Sequence, residues 1–114
     1  MAEGKTITDG PVEEAARLFS VLADPTRLAL LKLLSRQDEA KPLCVGALAR
    51  RLDVSQPAVS QHLRVLKAAG LVRGEKHGPR VHYFLDPEAV AGARKTAGEL
   101  LTLTADGEVC REEC

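Results

Sequence analysis

The chain of 114 residues has no tryptophan, one tyrosine and two phenylalanines, so aromatic residues make up only 3% of it. Its core must therefore be built from Leu, Val and Ala, a composition that suits helices. No apolar run approaches the roughly 20 residues that a membrane-spanning helix requires. Residues 1–5 lack the apolar segment that is typical of a signal peptide. We therefore expect one compact cytoplasmic domain with no membrane partner.

The sequence also lacks the parts of an active site. It has no glycine-rich phosphate loop, no paired-carboxylate cleft, and no Ser or Cys with an organised His partner. Its three cysteines are an odd number in a chain without an export signal, which argues against a disulfide scaffold. We therefore expect a binding protein and not an enzyme.

The formal net charge is zero, but the charges are unevenly distributed along the chain. Residues 50–82 contain seven Lys or Arg against two acidic residues, a net charge of +5, whereas residues 83–114 carry −4 and residues 1–49 carry −1. A basic segment of this kind indicates an anionic partner such as double-stranded DNA. The alternative is a solvated basic face, which is common on proteins of many functions.

Residues 54–66 have the pattern of a recognition helix, the helix that enters the DNA groove. Val59, Leu63 and Leu66 recur at the spacing of one buried stripe. Ser55 is placed to cap the helix. Four polar residues face away from this stripe and are of the types that bind base edges and phosphates: Gln56, Ser60, Gln61 and Arg64. The residues that we expect to contact DNA here are Ser55, Gln56, Ser60, Gln61, His62 and Arg64. For His62, local packing is the alternative.

The flanking segments complete a winged helix-turn-helix, a mainly α fold with one β-hairpin. Helices are predicted from residue 11 to about 22, after Asp24, over residues 45–52, and from the Asp86 cap to about residue 104. Two strands, residues 71–76 and 80–85, are predicted around a turn at residues 77–79. This hairpin is the wing. The wing residues that we expect to contact phosphates or a minor groove are Lys76, His77 and Arg80.

We divide the chain into a flexible N-terminal arm (1–10), a DNA-binding and dimerisation domain (11–104) and an acidic, cysteine-containing tail (105–114). The terminal helices are predicted to form the interface of a homodimer, because so small a domain gains from sharing apolar surface. Two-fold symmetry would then place two recognition helices one DNA turn apart on an inverted-repeat operator. A winged helix that binds only proteins is the alternative.

The chain resembles the ArsR/SmtB family of bacterial metal-responsive repressors over roughly residues 12–104. The resemblance rests on residues 22–28 (LADPTRL), 43–49 (LCVGALA), 54–63 (VSQPAVSQHL) and 66–72 (LKAAGLV). It implies a dimeric repressor that leaves its operator when an inducer binds. It also implies a structural role for Arg27, which matches a recurrent family position.

The family's inducer sites are only partly present. Cys44 matches the first cysteine of a pair around the first helix of the helix-turn-helix, but Gly46 occupies the second position. A zinc site of the last helix is missing, because Glu88 stands where a His is expected after Asp86. The family resemblance makes arsenic-type ions the leading inducers.

Three potential metal ligands remain, Cys44, Cys110 and Cys114. Three soft thiolates without imidazole suit thiophilic ions. As(III) or Sb(III) would take three sulfurs, and Pb(II) accepts a similar geometry, whereas Cd(II) or Zn(II) would need a fourth ligand. Tying Cys44 to the tail would shift the helix that supports the recognition helix. The alternatives are a thiol redox or persulfide switch, and a Cys44 that is only a small buried hydrophobe.

Overall fold

The computed structural model describes residues 10–102. The tail cysteines, Cys110 and Cys114, lie outside the described residues, as does almost all of the N-terminal arm. The elements are α1 (Gly10–Leu22), α2 (Pro25–Arg36), α3 (Val45–Leu52), α4 (Gln56–Ala68), β1 (Val72–His77), β2 (Arg80–Leu85) and α5 (Pro87–Leu101). Four helices, a hairpin and a last helix are the predicted order, which confirms the winged helix-turn-helix.

Three helices begin at the predicted caps. The side chains of Asp24, Ser55 and Asp86 each accept a hydrogen bond of 3.0 to 3.2 Å from the backbone N–H three residues further along. Each cap is followed by a proline in the first turn of its helix, where a missing N–H leaves no bond unmade. After α4, Gly70 adopts a left-handed φ of 80°, a conformation that favours glycine after a helix end.

The core lies between α2, α3, α4 and the base of the wing. Nine buried residues form it: Leu30, Leu34, Leu48, Ala49, Val59, Leu63, Leu66, Leu71 and Val72. The predicted stripe of α4 is completely buried, since Val59, Leu63 and Leu66 are each 0% exposed. Burial of a Leu or Val side chain stabilises the fold by about 1.5–3 kcal/mol. The recognition helix is therefore fixed to the body of the domain along its whole length.

The wing differs from its predicted boundaries by one residue at each end of β1. The strands pair in antiparallel register from Val72 and Leu85 to His77 and Arg80, so His77 belongs to the strand and not to the turn. Leu71 was predicted as a strand residue, but its N–H donates a hydrogen bond to the carbonyl of Leu66, one of the last carbonyls of α4. The turn is therefore only two residues long.

Helix α5 is shorter and more exposed than its sequence predicts. It ends at Leu101, and none of its residues is buried. Leu100 and Leu101 were expected on the apolar face, yet they are 47% and 68% exposed. Val90 and Ala93 do pack against the core. Within residues 10–102, no helix combines the length and the apolar character that a bilayer crossing requires.

Candidate nucleic-acid interface and thiol site

One face of α4 presents polar side chains to solvent. Gln56, Ser60, Gln61 and Arg64 are all exposed, as is the capping Ser55. The guanidinium of Arg64 donates a hydrogen bond of 2.7 Å from Nη1 to Oε1 of Gln61. This bond holds a forked donor beside an amide, and both groups are types that bind base edges. The structure thus brings five of the six residues predicted on this helix to one accessible face.

His62 is placed differently from the other five. Its side chain is 22% exposed, and its Nδ1 lies 3.3 Å from Nη1 of Arg27 and 3.8 Å from Oδ2 of Asp24. The imidazole thus contacts the beginning of α2 and does not share the solvent-facing side of α4. This geometry favours local packing, the alternative that the sequence left open for His62.

Arg27 connects three helices through one guanidinium. Besides its contact with His62, its Nε donates to the carbonyl of Val21 at 2.5 Å and its Nη2 donates to the carbonyl of Ser20 at 3.3 Å. Both carbonyls belong to the last turn of α1, which contains no basic residue of its own. Arg27 therefore supplies the positive charge that stabilises the end of that helix.

The wing carries cations, some of which are already paired. Arg73 hydrogen-bonds to Glu75 and its guanidinium lies 5.2 Å from the centre of the Phe84 ring. Nε2 of His77 lies 3.4 Å from Oε1 of the same Glu75. Lys76 makes no ion pair with any of residues 10–102 and is exposed. Arg80 is likewise exposed and belongs to none of these ion pairs, so Lys76 and Arg80 are the predicted wing cations available to a phosphate.

Cys44 lies at the N-terminus of α3, in the N-cap position, and is half-buried. It makes no capping hydrogen bond of ordinary geometry. The backbone N–H of Ala47, and next to it that of Gly46, nevertheless lower the pKa of the Cys44 thiol, and Arg80 and Arg50 add to this. Partial burial opposes the effect without cancelling it. The thiolate form of Cys44 is therefore favoured, unlike that of a cysteine in an apolar core.

The first turn of α3 contains a convergence of side chains that the sequence did not reveal. A Cβ placed on Gly46 would lie 3.3 Å from Nε2 of Gln56, 3.5 Å from Nη1 of Arg50 and 3.8 Å from Sγ of Cys44. Three functional groups therefore surround the space that a side chain would fill. Arg50 was counted only as part of the basic segment. Its position four residues after Gly46 is the signal that places both on one face of α3.

The predicted three-thiolate site is not assembled within the described residues. Cys44 is the cysteine of residues 10–102, and no group of three His, Cys, Asp or Glu in that range could hold a metal ion. Cys110 and Cys114 lie outside the range. The participation of all three cysteines in one site stays a prediction.

Comparisons with known proteins identify the family of this chain. The model of the family "Bacterial regulatory protein, arsR family" matches residues 24–73. The "Arsenical resistance operon repressor" of Escherichia coli (strain K12) is 46% identical over 83 residues, which are 73% of this chain and 68% of that protein. The "HTH-type transcriptional regulator Rv2034" of Mycobacterium tuberculosis is 45% identical over 91 residues, 80% of this chain and 81% of that protein.

A solved structure gives the same answer for the fold. The "ArsR-like Transcriptional Regulator from Rhodococcus sp. RHA1" superposes with a TM-score of 0.66 at 33% identity, over 81% of this chain and 83% of the other. The family resemblance and the winged-helix architecture are therefore both confirmed. The chain belongs to the arsR family of bacterial regulatory proteins and is a DNA-binding transcriptional regulator.

Proposed function

We propose that this protein is a metal-responsive repressor that binds an inverted-repeat operator as a homodimer and leaves it when a thiophilic ion binds Cys44. The observation that carries the proposal is the position of Cys44, a thiol with a lowered pKa that borders the same Gly46 space as the amide of Gln56, the first residue of α4. The thiolate is the form of cysteine that binds metals. The similarity to a repressor of arsenical resistance supports the same assignment.

DNA binding is assigned to the exposed face of α4 and to the wing. Gln56, Gln61 and Arg64 supply base contacts, whereas Ser55, Ser60, Lys76, His77 and Arg80 supply phosphate contacts. The net charge of +5 over residues 50–82 supports this assignment, because neutralising phosphates provides most of the affinity of such proteins for DNA. In this proposal His62 orients the recognition helix and does not contact DNA.

The inducer is assigned as As(III) or Sb(III), with Cys110 and Cys114 supplying two further sulfurs. Both ions bind three thiolates, the number of cysteines in the chain. Cd(II), Pb(II) or Zn(II) is the second choice, since Zn(II) and Cd(II) would need a fourth ligand from water or a carboxylate. The lowered pKa of Cys44 also favours a thiol redox or persulfide switch, because the thiolate is the nucleophile in both reactions.

The test is fluorescence anisotropy of the reduced full-length protein on an inverted-repeat duplex selected from a random library. Arsenite, antimonite, cadmium, lead and zinc are titrated in parallel into the complex. Release by one ion at near-stoichiometric concentration, with no release from the Cys44→Ser variant, is the expected result. Cys110→Ser and Cys114→Ser are tested in the same way, and release of either variant at the parental ion concentration would remove that residue from the site.

The competing assignments give different results in the same assay. Release by mild oxidation or polysulfide, with none of the five ions active, would replace the metal site by the redox switch. Failure to select any inverted-repeat duplex would overturn the repressor assignment as a whole. A mutated half-site in the duplex is the control for sequence-specific binding.

A further inference from the structure

Gly46 leaves an open space where the thiol site and the DNA-reading face meet. Because Gly46 has no side chain, Sγ of Cys44, Nη1 of Arg50 and Nε2 of Gln56 all lie within 4 Å of one point. Gln56 is the first residue of α4 and is exposed. In helix-turn-helix proteins the N-terminal residues of the recognition helix contact base edges. The Gln56 amide thus borders the same space as the Cys44 thiol and lies at the end of α4 that contacts base edges in such proteins.

We propose that Gln56 couples the occupancy of Cys44 to DNA recognition, so that a group bound to the sulfur displaces the Gln56 amide from its reading position. This inference deepens the proposed function and rests on its assignment of Gln56 to the operator. It differs from the sequence-based mechanism, in which the tail pulls on α3. Here the signal passes between two neighbouring side chains, and the helices keep their positions.

The contact geometry explains why Gln56 is the residue that moves. Its amide is at the end of a long exposed side chain, whereas Cys44 has a short, half-buried side chain at the N-cap of α3. A substituent on Sγ enlarges the sulfur beside an amide that already approaches the Gly46 space to 3.3 Å. The amide can leave only by rotating away, and its base contact is then lost. Arg50 also borders the space, but it is not among the residues assigned to base contacts, so a shift of its exposed guanidinium removes no base contact.

The experiment uses a small covalent probe in place of an ion. In the full-length Cys110→Ser/Cys114→Ser variant, Cys44 is the only thiol. Methyl methanethiosulfonate then forms a disulfide between Sγ and a methylthio group, and methanesulfinate leaves; dithiothreitol reverses the reaction. Operator affinity and affinity for a random duplex are measured before labelling, after labelling and after reversal. Labelling modifies Cys44 of both protomers of the proposed dimer, so we expect it to weaken operator binding about a hundredfold, roughly tenfold for each lost base contact, with random-duplex binding changed less than about threefold.

Two glutamines on the same helix provide the matched comparison. Gln56→Ala removes the proposed coupling residue, so labelling should weaken its operator binding less than about twofold. Gln61→Ala also removes a glutamine from the reading face, but Gln61 bonds to Arg64 and is not among the groups nearest the Gly46 space, so its labelling effect should stay close to that of the parent. Equal labelling effects in the two variants, or no effect in the parent, would overturn the proposal.

A label-free variant tests the same contact. Gly46→Ala adds a methyl group 3.3 Å from the Gln56 amide and also favours the helix, so the variant should fold. We expect it to weaken operator binding and to leave random-duplex binding unchanged; unchanged operator binding would contradict the inference. Because no metal is used, these results are independent of the ion titration. If no ion releases the protein from its operator, the proposed inducer is wrong. If labelling affects the Gln56→Ala and Gln61→Ala variants equally, only the role of Gln56 is wrong.

Discussion

Replacing Arg27 by alanine should destabilise the protein more than any other substitution of an exposed or half-exposed side chain considered above. The guanidinium of Arg27 links the last turn of α1 to the recognition helix by polar contacts with Val21, Ser20 and His62. Alanine at position 27 would keep the backbone N–H that Asp24 accepts, so the cap of α2 survives. The substitution therefore tests the side-chain contacts alone.

The contacts of Arg27 set the expected magnitude. A hydrogen bond that involves a charged group contributes about 1.5–3 kcal/mol when it is shielded from water. The contacts of Arg27 with Val21 and His62 are partly buried, whereas the contact with Ser20 is exposed and contributes little. Water can replace part of the lost donors at such half-exposed carbonyls. We therefore expect Arg27→Ala to lower the free energy of unfolding by about 2–3 kcal/mol.

Urea unfolding followed by far-UV circular dichroism, at one fixed protein concentration, measures this change. Arg27→Lys should lose about 1–2 kcal/mol, because an ammonium group cannot donate in three directions from one plane. Lys32→Ala, an exposed position on the same helix, should change stability by less than about 0.5 kcal/mol. If Arg27→Ala is no more destabilising than Lys32→Ala, the connection between the helices contributes nothing and the reasoning is wrong.

Three further predictions concern charge and DNA. The backbone N–H of Arg27 lowers the pKa of Asp24, so the charge of Asp24 stabilises the fold at neutral pH, and this contribution is lost as the pH falls through the lowered pKa. The difference in Tm between the parent and Asp24→Asn should therefore vanish in acid. A constant difference from pH 7 to pH 3 would contradict this prediction. In the Cys110→Ser/Cys114→Ser variant, in which Cys44 is the remaining cysteine, Arg80→Ala should raise the pKa of Cys44 and so move the pH profile of its reaction with iodoacetamide to higher pH. An unshifted profile would remove Arg80 from the site. Arg64→Ala should weaken operator binding by about 1–3 kcal/mol and relax the preference at one base pair, and equal losses on operator and random duplexes would reassign Arg64 to a phosphate.

Local sequence signals predicted the elements that local chemistry determines. Asp24, Ser55 and Asp86 each precede a proline, and this pair of signals fixed three helix starts before any packing was known. The spacing of Val59 and Leu63 likewise identified the buried side of α4. Such signals act within four residues, so they can be read without knowledge of the fold.

The errors arose where a contact that the residue pattern does not encode decides. Leu71 has the composition of a strand residue, but its N–H donates a hydrogen bond of 3.0 Å to the carbonyl of Leu66 at the end of α4, so the strand begins one residue later. Leu100 has helical spacing on α5, yet no element of residues 10–102 covers it. For His62 the sequence left DNA contact and local packing open, and the approach of α2 favours packing. The spacing of residues predicts which side chains share one face of a helix, but it does not predict which part of the protein that face contacts.

The candidate thiol site shows the same division. Cys44 was identified by its residue type and family position, but its lowered pKa depends on a helix N-terminus and on Arg80 of the wing. Its proximity to Gln56 depends on how α3 and α4 cross, which no spacing in the sequence encodes. In the sequence, Gly46 occupies the position of the second cysteine and so argues against a thiolate pair. In the structure, the same glycine creates the space in which the thiol, Arg50 and Gln56 meet.

The rigidity of the core favours a side-chain signal over a helix movement. Leu48 of α3 and Val59 and Leu63 of α4 are each 0% exposed, so shifting α3 against α4 would open a packing defect between them. Residual cavities of this kind destabilise by several kcal/mol, since a truncated core leucine already costs about 2.7–5 kcal/mol. Rotation of one exposed glutamine side chain costs far less. Allosteric coupling energies are about 1–3 kcal/mol, the same size as one base contact. In the proposed dimer the loss would occur at two half-sites, so displacement of Gln56 alone would lower operator affinity enough for release while both helices stay in place.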